Sequence, residues 1–271
     1  MRFSVGRVFN TPRLILAFAL AMTLLALSGC GSPHSQQLAA APPSPVIPPA
    51  IAAEPVLLFN GTGTSADVSA VEAVLDTLGV GYTTADSSQL NALSEQQLAG
   101  YKLLIVPGGN SITIGENLNQ ETTSNIRGAV GSYGLHYLGL CAGAFFGGSS
   151  IYNGVDLTGG VSFNFYAAEF ENIHKEPVEI SLPSGSPLDV YWQDGPQLSG
   201  WGSVVAKFPD GTPAIVEGQS GKGFVILTGV HPEAPASWRG SMIFTTSEST
   251  DLAYAGTIIQ AALSGTPLAH F

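Results

Sequence analysis

Cysteine and positive charge are scarce in this chain of 271 residues. It has two cysteines and nine Lys and Arg residues against twenty Asp and Glu residues, and only 11% of its residues are charged. Because nucleic acids and anionic lipids are bound mainly through basic side chains, this balance excludes binding to either by charge. Cys-x-x-Cys and His-Glu-x-x-His motifs are also missing, so we expect no metal site.

The chain also has no long hydrophobic run. Its apolar stretch at residues 14–27 is shorter than the roughly 20 residues that a membrane span needs. Three arginines and no acidic residue precede it, and Leu27-Ser28-Gly29-Cys30 ends it. This arrangement resembles a bacterial lipoprotein signal peptide, which implies removal of residues 1–29 and acylation of the Cys30 thiol. A plain membrane anchor is the alternative interpretation.

The rest of the chain divides into a tether and one domain. Residues 30–53 are rich in Pro and Ala and predict a tether, which leaves residues 54–271 for a single domain. Without the signal peptide, six basic residues remain against twenty acidic ones. We therefore expect an acidic, membrane-anchored lipoprotein of the cell envelope that faces the periplasm or the cell exterior.

If Cys30 carries a lipid, Cys141 has no cysteine partner. A buried, inert thiol is the ordinary explanation of a single cysteine. Gly139 and Gly143 favour a nucleophile elbow instead, since the positions two before and two after such a residue must be small. The run His136–Leu140 predicts a strand and Ala142–Phe146 a helix, so we expect Cys141 to be exposed at a helix N-terminus that favours the thiolate.

His231 and Glu233 predict the partners of this thiol. His231 follows an apolar strand and would act as the base, and Glu233 would point the same way in an extended segment and orient the imidazole. Cys141, His231 and Glu233 thus predict a catalytic triad. The other histidines are expected to be isolated surface residues: His34, His136, His174 and His270.

Two backbone N–H groups would complete acyl-transfer chemistry by binding the oxyanion. Ala142 follows the nucleophile and supplies the first candidate. Gly109 supplies the second, because the glycines of the loop Pro107–Asn110 let the backbone approach a substrate closely. A plain turn is the alternative interpretation of this loop.

Apolar runs alternate with helical periodicity in the first half of the domain. Predicted strands lie at 55–59, 81–84, 102–106 and 136–140, and helical patterns at 68–78, 94–99 and 123–133. This order predicts a parallel sheet with helices on both faces and active residues at the carboxyl ends of the strands. The second half is richer in strands, at 178–182, 189–192, 203–208, 214–217 and 224–228, and ends in a helix at 249–263.

The first loop also fits a dinucleotide-binding fingerprint in form. Gly61, Gly63 and Ala66 have the spacing, and Asp86 lies twenty residues beyond Ala66. That interpretation gives Cys141 and His231 no joint role. The other interpretation is that these glycines shape the first strand–helix loop, and we expect no cofactor.

Five segments together resemble the N-terminal domain of eukaryotic-type biotin-protein ligases, which belongs to the class I glutamine amidotransferase-like superfamily. The segments are 57–65, Val106-Pro107-Gly108-Gly109, 137–144, Gln193-Asp194-Gly195-Pro196 and 229–233. The resemblance runs from about residue 54 to about 235. It implies a flavodoxin-like α/β/α sandwich with a mostly parallel sheet. It also implies that Cys141 is the nucleophile, His231 the base and Glu233 the orienting acid.

The sequence lacks two features that these ligases and the amidotransferase synthases need in addition to this domain. There is no Gly-Arg-Gly-rich ligase loop and no synthase domain to receive ammonia, so neither biotin ligation nor amidotransfer is expected. We expect a cysteine hydrolase of an amide or peptide-like substrate, with a non-catalytic binding or scaffold lipoprotein as the alternative. The candidate pocket residues are Asn110, Tyr191, Trp192 and Asp194, although the aromatic pair is also compatible with a structural role.

Overall fold

A computed structural model describes residues 52–64 and 67–271, which include all of the predicted domain except residues 65 and 66; Ala66 of the first loop therefore lies outside the described residues. The predicted signal peptide 1–29, the lipidation site Cys30, His34 and most of the tether lie outside the described residues. Among the helices of the described part, none combines the length and apolar composition that a membrane crossing requires.

Eleven strands are formed by the described residues. In chain order they are β1 (Val56–Phe59), β2 (Tyr82–Ala85), β3 (Leu103–Val106), β4 (His136–Leu140), β5 (Asn164–Phe165), β6 (Lys175–Ile180), β7 (Leu188–Gln193), β8 (Pro196–Gln197), β9 (Ser203–Lys207), β10 (Pro213–Ser220) and β11 (Gly223–Thr228). Seven of them form the central sheet, in the order β2-β1-β3-β4-β11-β10-β9.

The first five strands of that order are parallel, and β10 and β9 add an antiparallel edge. The turn Asp210-Gly211 joins β9 to β10, as a tight antiparallel connection requires. Two pairs stand outside the sheet, β6 with β7 and β5 with β8. The predicted mostly parallel sheet is confirmed.

Helices cover both faces of this sheet. They are α1 (Asp67–Leu78), α2 (Ser87–Asn91), α3 (Glu95–Leu98), α4 (Ser111–Asn117), α5 (Gln120–Gly128), α6 (Ala142–Gly147), α7 (Ala236–Arg239) and α8 (Glu248–Ser264). Side chains alternate between faces along a strand, so Val56 and Leu58 pack with α1 and α8 while Leu57 and Phe59 pack with α2 to α6. The three-layer α/β/α sandwich is therefore confirmed.

Helix boundaries depend on caps that hydrophobic periodicity does not reveal. The helix predicted at 123–133 begins at Gln120, because the Asn119 side chain accepts a hydrogen bond from the Thr122 N–H. Its last part, Ala129–Tyr133, is a π-helical turn that ends at Gly134. Ser94 and Gln97 form a capping box at the start of α3.

Burial in the central strands predicts where substitutions will be costly. Ile226 in β11 is fully buried, whereas Ile243 is 90% exposed. We expect Ile226→Ala to lower the free energy of unfolding by about 2–5 kcal/mol, because it removes packed methyl groups and leaves a cavity. Ile243→Ala is the control and should change it by less than about 0.5 kcal/mol. Chemical denaturation measures both; equal effects would contradict the assignment of the core.

Candidate active site

Cys141 occupies a strained turn between β4 and α6. Its backbone angles are φ 47° and ψ −102°, an uncommon conformation for a residue with a side chain. The Cys141 N–H donates to the Thr228 carbonyl at 2.8 Å, which ties the turn to β11. The cysteine is only 5% exposed, so the expectation of an exposed thiol is corrected: the thiol lies on the wall of an internal cavity.

The glycines on either side make this turn possible. A Cβ at Gly139 would lie 2.4 Å from the Gly143 carbonyl oxygen, and one at Gly143 would lie 1.9 Å from the Val106 carbonyl oxygen. Real Cβ atoms do not approach backbone oxygens so closely. The steric requirement expected of a nucleophile elbow is therefore present at both positions.

His231 reaches the thiol because β11 lies beside β4. Thr228 pairs with Leu140 in parallel register, so both strands end at the same edge of the sheet. The His231 N–H donates to the Tyr191 carbonyl at 2.8 Å, which fixes the backbone three residues after β11. Nδ1 of the His231 ring lies 2.9 Å from Oε1 of Glu233, and the ring is close enough to the Cys141 thiol for the two groups to interact electrostatically.

The three side chains predicted as a triad therefore meet at one sheet edge. Complete burial of the His231 ring would lower its pKa. The charges of Cys141 and Glu233 and the hydrogen bonds to both outweigh that burial and raise the pKa of His231 well above its usual value of 6.5. This favours an imidazolium, the cation that would stabilise a thiolate on Cys141.

A second carboxylate, which the sequence-based prediction missed, faces the same ring. Oδ1 of Asp67 lies 3.3 Å from Nδ1 of His231, and both side chains are buried. Asp67 begins α1, after the glycine-containing loop that follows β1. The sequence does contain a signal for Asp67, because Asp67 is an acidic residue near the carboxyl end of a central strand. The dinucleotide fingerprint indicates Asp86 instead.

Asp86 has a structural role. Its side chain accepts a hydrogen bond from the Gln89 N–H and caps α2. Gly63 lies on the cavity wall, and its carbonyl oxygen accepts a hydrogen bond from the Asn110 N–H. The glycines of the first loop thus shape the surroundings of Cys141, as the second interpretation of that loop expected.

The candidate oxyanion donors lie next to the thiol. Gly109 has φ 139°, a conformation that favours glycine, and a Cβ there would lie 2.0 Å from the Gly63 carbonyl oxygen. Gly109 lines the cavity with Cys141, and Ala142 is the first residue of α6. Their role as oxyanion donors stays a prediction.

The cavity in front of Cys141 has a volume of about 560 Å³. Three of the four candidate pocket residues line it: Asn110, Tyr191 and Asp194. Trp192 does not, which corrects the expectation for it. Neighbours along a strand face opposite sides, so Tyr191 faces the cavity while Trp192 is fully buried and packs edge-on against Tyr166.

Other cavity residues were not found from the sequence. The Trp238 ring centroid lies 5.7 Å from those of His231 and Tyr191, so two aromatic rings flank the imidazole. Lys175 and Gln193 also line the cavity. Trp238 belongs to a four-residue helix beyond the His-x-Glu motif, where no periodicity marks it as part of a site.

The other described histidines have specific partners, which corrects the expectation of isolated surface residues. Nδ1 of His136 accepts a hydrogen bond from the Phe224 N–H, and burial lowers the pKa of His136. His174 contacts Glu169 and Asp194 at 3.2 and 3.0 Å. His270 contacts Glu217 at 2.5 Å.

Two groups within the described residues have the composition of a metal site. They are Asp67, His231 and Glu233, all buried, and the more exposed Glu169, His174 and Asp194. In both groups the carboxylates approach the same ring nitrogen, Nδ1 of the histidine. Hydrogen bonding to one imidazole nitrogen accounts for their proximity.

Comparisons with known proteins agree with this architecture. Residues 54–167 match the family model described as biotin-protein ligase, N terminal. This segment is similar to that family. The match includes Cys141 and ends before His231. Comparison with curated proteins found no match.

Solved structures extend the likeness to the whole domain. A crystal structure described as a glutamine amidotransferase is 20% identical with a TM-score of 0.55, and the match covers 78% of this chain and 99% of that one. The structure of PurLQS from Thermotoga maritima is 16% identical with a TM-score of 0.52, with coverage of 76% and 99%. At these identities the likeness shows the fold, which is glutamine amidotransferase-like.

The elbow predicts a strict requirement for glycine at one position. We expect Gly143→Ala to lower the free energy of unfolding by about 1–3 kcal/mol, because its Cβ would collide with the Val106 carbonyl. Gly131→Ala is a matched control, since nothing lies within 4 Å of a Cβ at that glycine. Thermal unfolding of both variants tests this expectation. A Gly143→Ala protein as stable as the control would argue against the close packing of the elbow.

Proposed function

We propose that this protein is an envelope lipoprotein whose domain hydrolyses an amide or peptide-like bond with Cys141 as the nucleophile. One observation carries the proposal: a cysteine in a strained elbow lies beside a buried imidazole whose Nδ1 contacts two carboxylates. That arrangement suits a thiolate–imidazolium pair, which is the reactive form of a cysteine nucleophile.

The proposed reaction has two stages. The Cys141 thiolate attacks the carbonyl carbon of the amide, and the His231 imidazolium gives its proton to the leaving nitrogen as the C–N bond breaks. The product is an amine and a thioester on Cys141. His231 then takes a proton from water, whose oxygen attacks the thioester and releases a carboxylic acid and the thiolate. The N–H groups of Gly109 and Ala142 would bind the oxyanion in both stages.

The reactivity of the thiol tests this chemistry before any substrate is known. In a Cys30→Ser background Cys141 is the only thiol, so iodoacetamide reports on it alone. We expect alkylation at pH 6 about tenfold or more faster than that of glutathione. The rate should stay nearly constant as pH rises, because the raised pKa of His231 preserves the imidazolium, whereas the rate for glutathione rises about tenfold per pH unit.

Glu233→Gln should slow this alkylation at pH 6, because it removes a charge that stabilises the imidazolium. An alkylation rate no higher than that of glutathione would contradict the proposal. A panel of amide and peptide substrates would then compare the wild-type protein with Cys141→Ala. Turnover that survives the substitution would exclude Cys141 as the nucleophile.

A non-catalytic binding protein is the second candidate function. It is favoured by the low exposure of Cys141 and by the contact of its sulfur with the Gln193 carbonyl oxygen at 3.4 Å. Such a protein would bind a ligand in the same cavity without turnover. Unchanged ligand binding by Cys141→Ala, together with slow alkylation of the wild-type thiol, would support it.

The lipid anchor is proposed from the sequence of the first 30 residues. We expect the full-length chain to incorporate a clickable palmitate analogue and to partition into the detergent phase of Triton X-114. Cys30→Ser should abolish both properties, and Cys141→Ser should preserve both because that thiol belongs to the domain. Label that remains on the Cys30→Ser protein would contradict lipidation at this residue.

A further inference from the structure

We propose that Asp67 is a positioning residue for His231, acting with Glu233 as a second carboxylate on the same ring nitrogen. This inference rests on the proposed cysteine chemistry. It replaces a triad with a four-residue arrangement in which two acidic residues, from opposite ends of the chain, hold one imidazolium.

Both carboxylates lie close to Nδ1 of His231. Oε1 of Glu233 lies 2.9 Å from Nδ1 and Oδ1 of Asp67 lies 3.3 Å from it. The Glu233 contact is a hydrogen bond, whereas the longer Asp67 contact is an ion pair. Glu233 follows β11 and Asp67 begins α1, so two independent elements hold the ring.

The close contact between Asp67 and the His231 ring also depends on a neighbouring glycine. A Cβ at Gly108 would lie 2.4 Å from Oδ1 of Asp67 and 2.8 Å from Cε1 of His231. The glycine therefore leaves the space in which the carboxylate and the imidazole meet. A side chain at this position would push the two groups apart.

Charge gives Asp67 a distinct role from Glu233. Two buried carboxylates with oxygens within 4.8 Å of the same nitrogen repel each other, and an imidazolium between them offsets that repulsion. Oε2 of Glu233 is buried without a hydrogen-bond partner in the described structure, so Glu233 stabilises its charge through His231. Glu233 raises the pKa of His231, and the proposed role of Asp67 is to act in the same direction from the cavity wall.

The groups that face His231 define what a titration must separate. They are the Cys141 thiol, the carboxylates of Glu233 and Asp67, and the Tyr191 hydroxyl, while Lys175 and Asp194 lie on the cavity wall. Replacing Asp67 with Asn keeps the size of the side chain and removes only its charge. A change in the titration of His231 in that variant can therefore be assigned to the lost carboxylate.

The experiment uses the full domain-bearing chain in the Cys30→Ser background. NMR of isotope-labelled histidine follows the His231 titration, and iodoacetamide follows Cys141. We expect Asp67→Asn to move the His231 titration to lower pH by about one pH unit and to slow alkylation at pH 6 by about tenfold. At pH 9 the alkylation rates should converge. Asp67→Glu, which keeps the negative charge, should retain most of the wild-type His231 titration and alkylation rate.

The control is Asp76→Asn, an exposed acid on the same helix, which should leave both readouts unchanged. If Asp67→Asn behaves like this control, the inference is overturned. If Asp67→Asn does not fold, Asp67→Ser, which also removes the carboxylate, takes its place: a His231 titration at lower pH by about one unit supports the inference, and a titration like that of Asp76→Asn overturns it. The His231 titration needs no turnover, so it can succeed even where Cys141 proves unreactive and the proposed function fails.

Discussion

The parallel pairing of β4 with β11 is the constraint on which the site depends. It brings two strands that are far apart in the chain to one sheet edge, so that Cys141 and His231 leave their strands side by side. The hydrogen bond from the Cys141 N–H to Thr228 continues this pairing into the turn.

The site combines this rigidity with a concentration of charge in a buried place. Asp67 and Glu233 are both nearly inaccessible, and each would be costly to bury alone. The protonated His231 ring compensates for both, and its interaction with Cys141 completes an alternation of opposite charges. Stabilising an imidazolium and preparing a thiolate are in this sense the same physical arrangement.

The sequence predicted the inner strands β1, β3, β4 and β11 well because each is a short, mainly apolar run bounded by glycine, proline or polar residues. It predicted the elbow for a similar reason. Gly139, Cys141 and Gly143 lie within five consecutive residues, so their steric requirement is local. Contacts across the fold were harder to predict. Asp67 and Trp238 reach His231 from segments whose local patterns describe only a helix start and a short turn.

The amino-acid sequence alone determined three features: the alternation of strands and helices, the elbow and the His-x-Glu spacing. Each of them depends on neighbours within a few positions. Tertiary structure decided which face of β7 each aromatic side chain occupies, how deeply Cys141 is buried and that Asp67 joins Glu233 at one nitrogen. These features depend on the packing of elements separated by many residues. Local sequence patterns do not indicate which distant elements pack together.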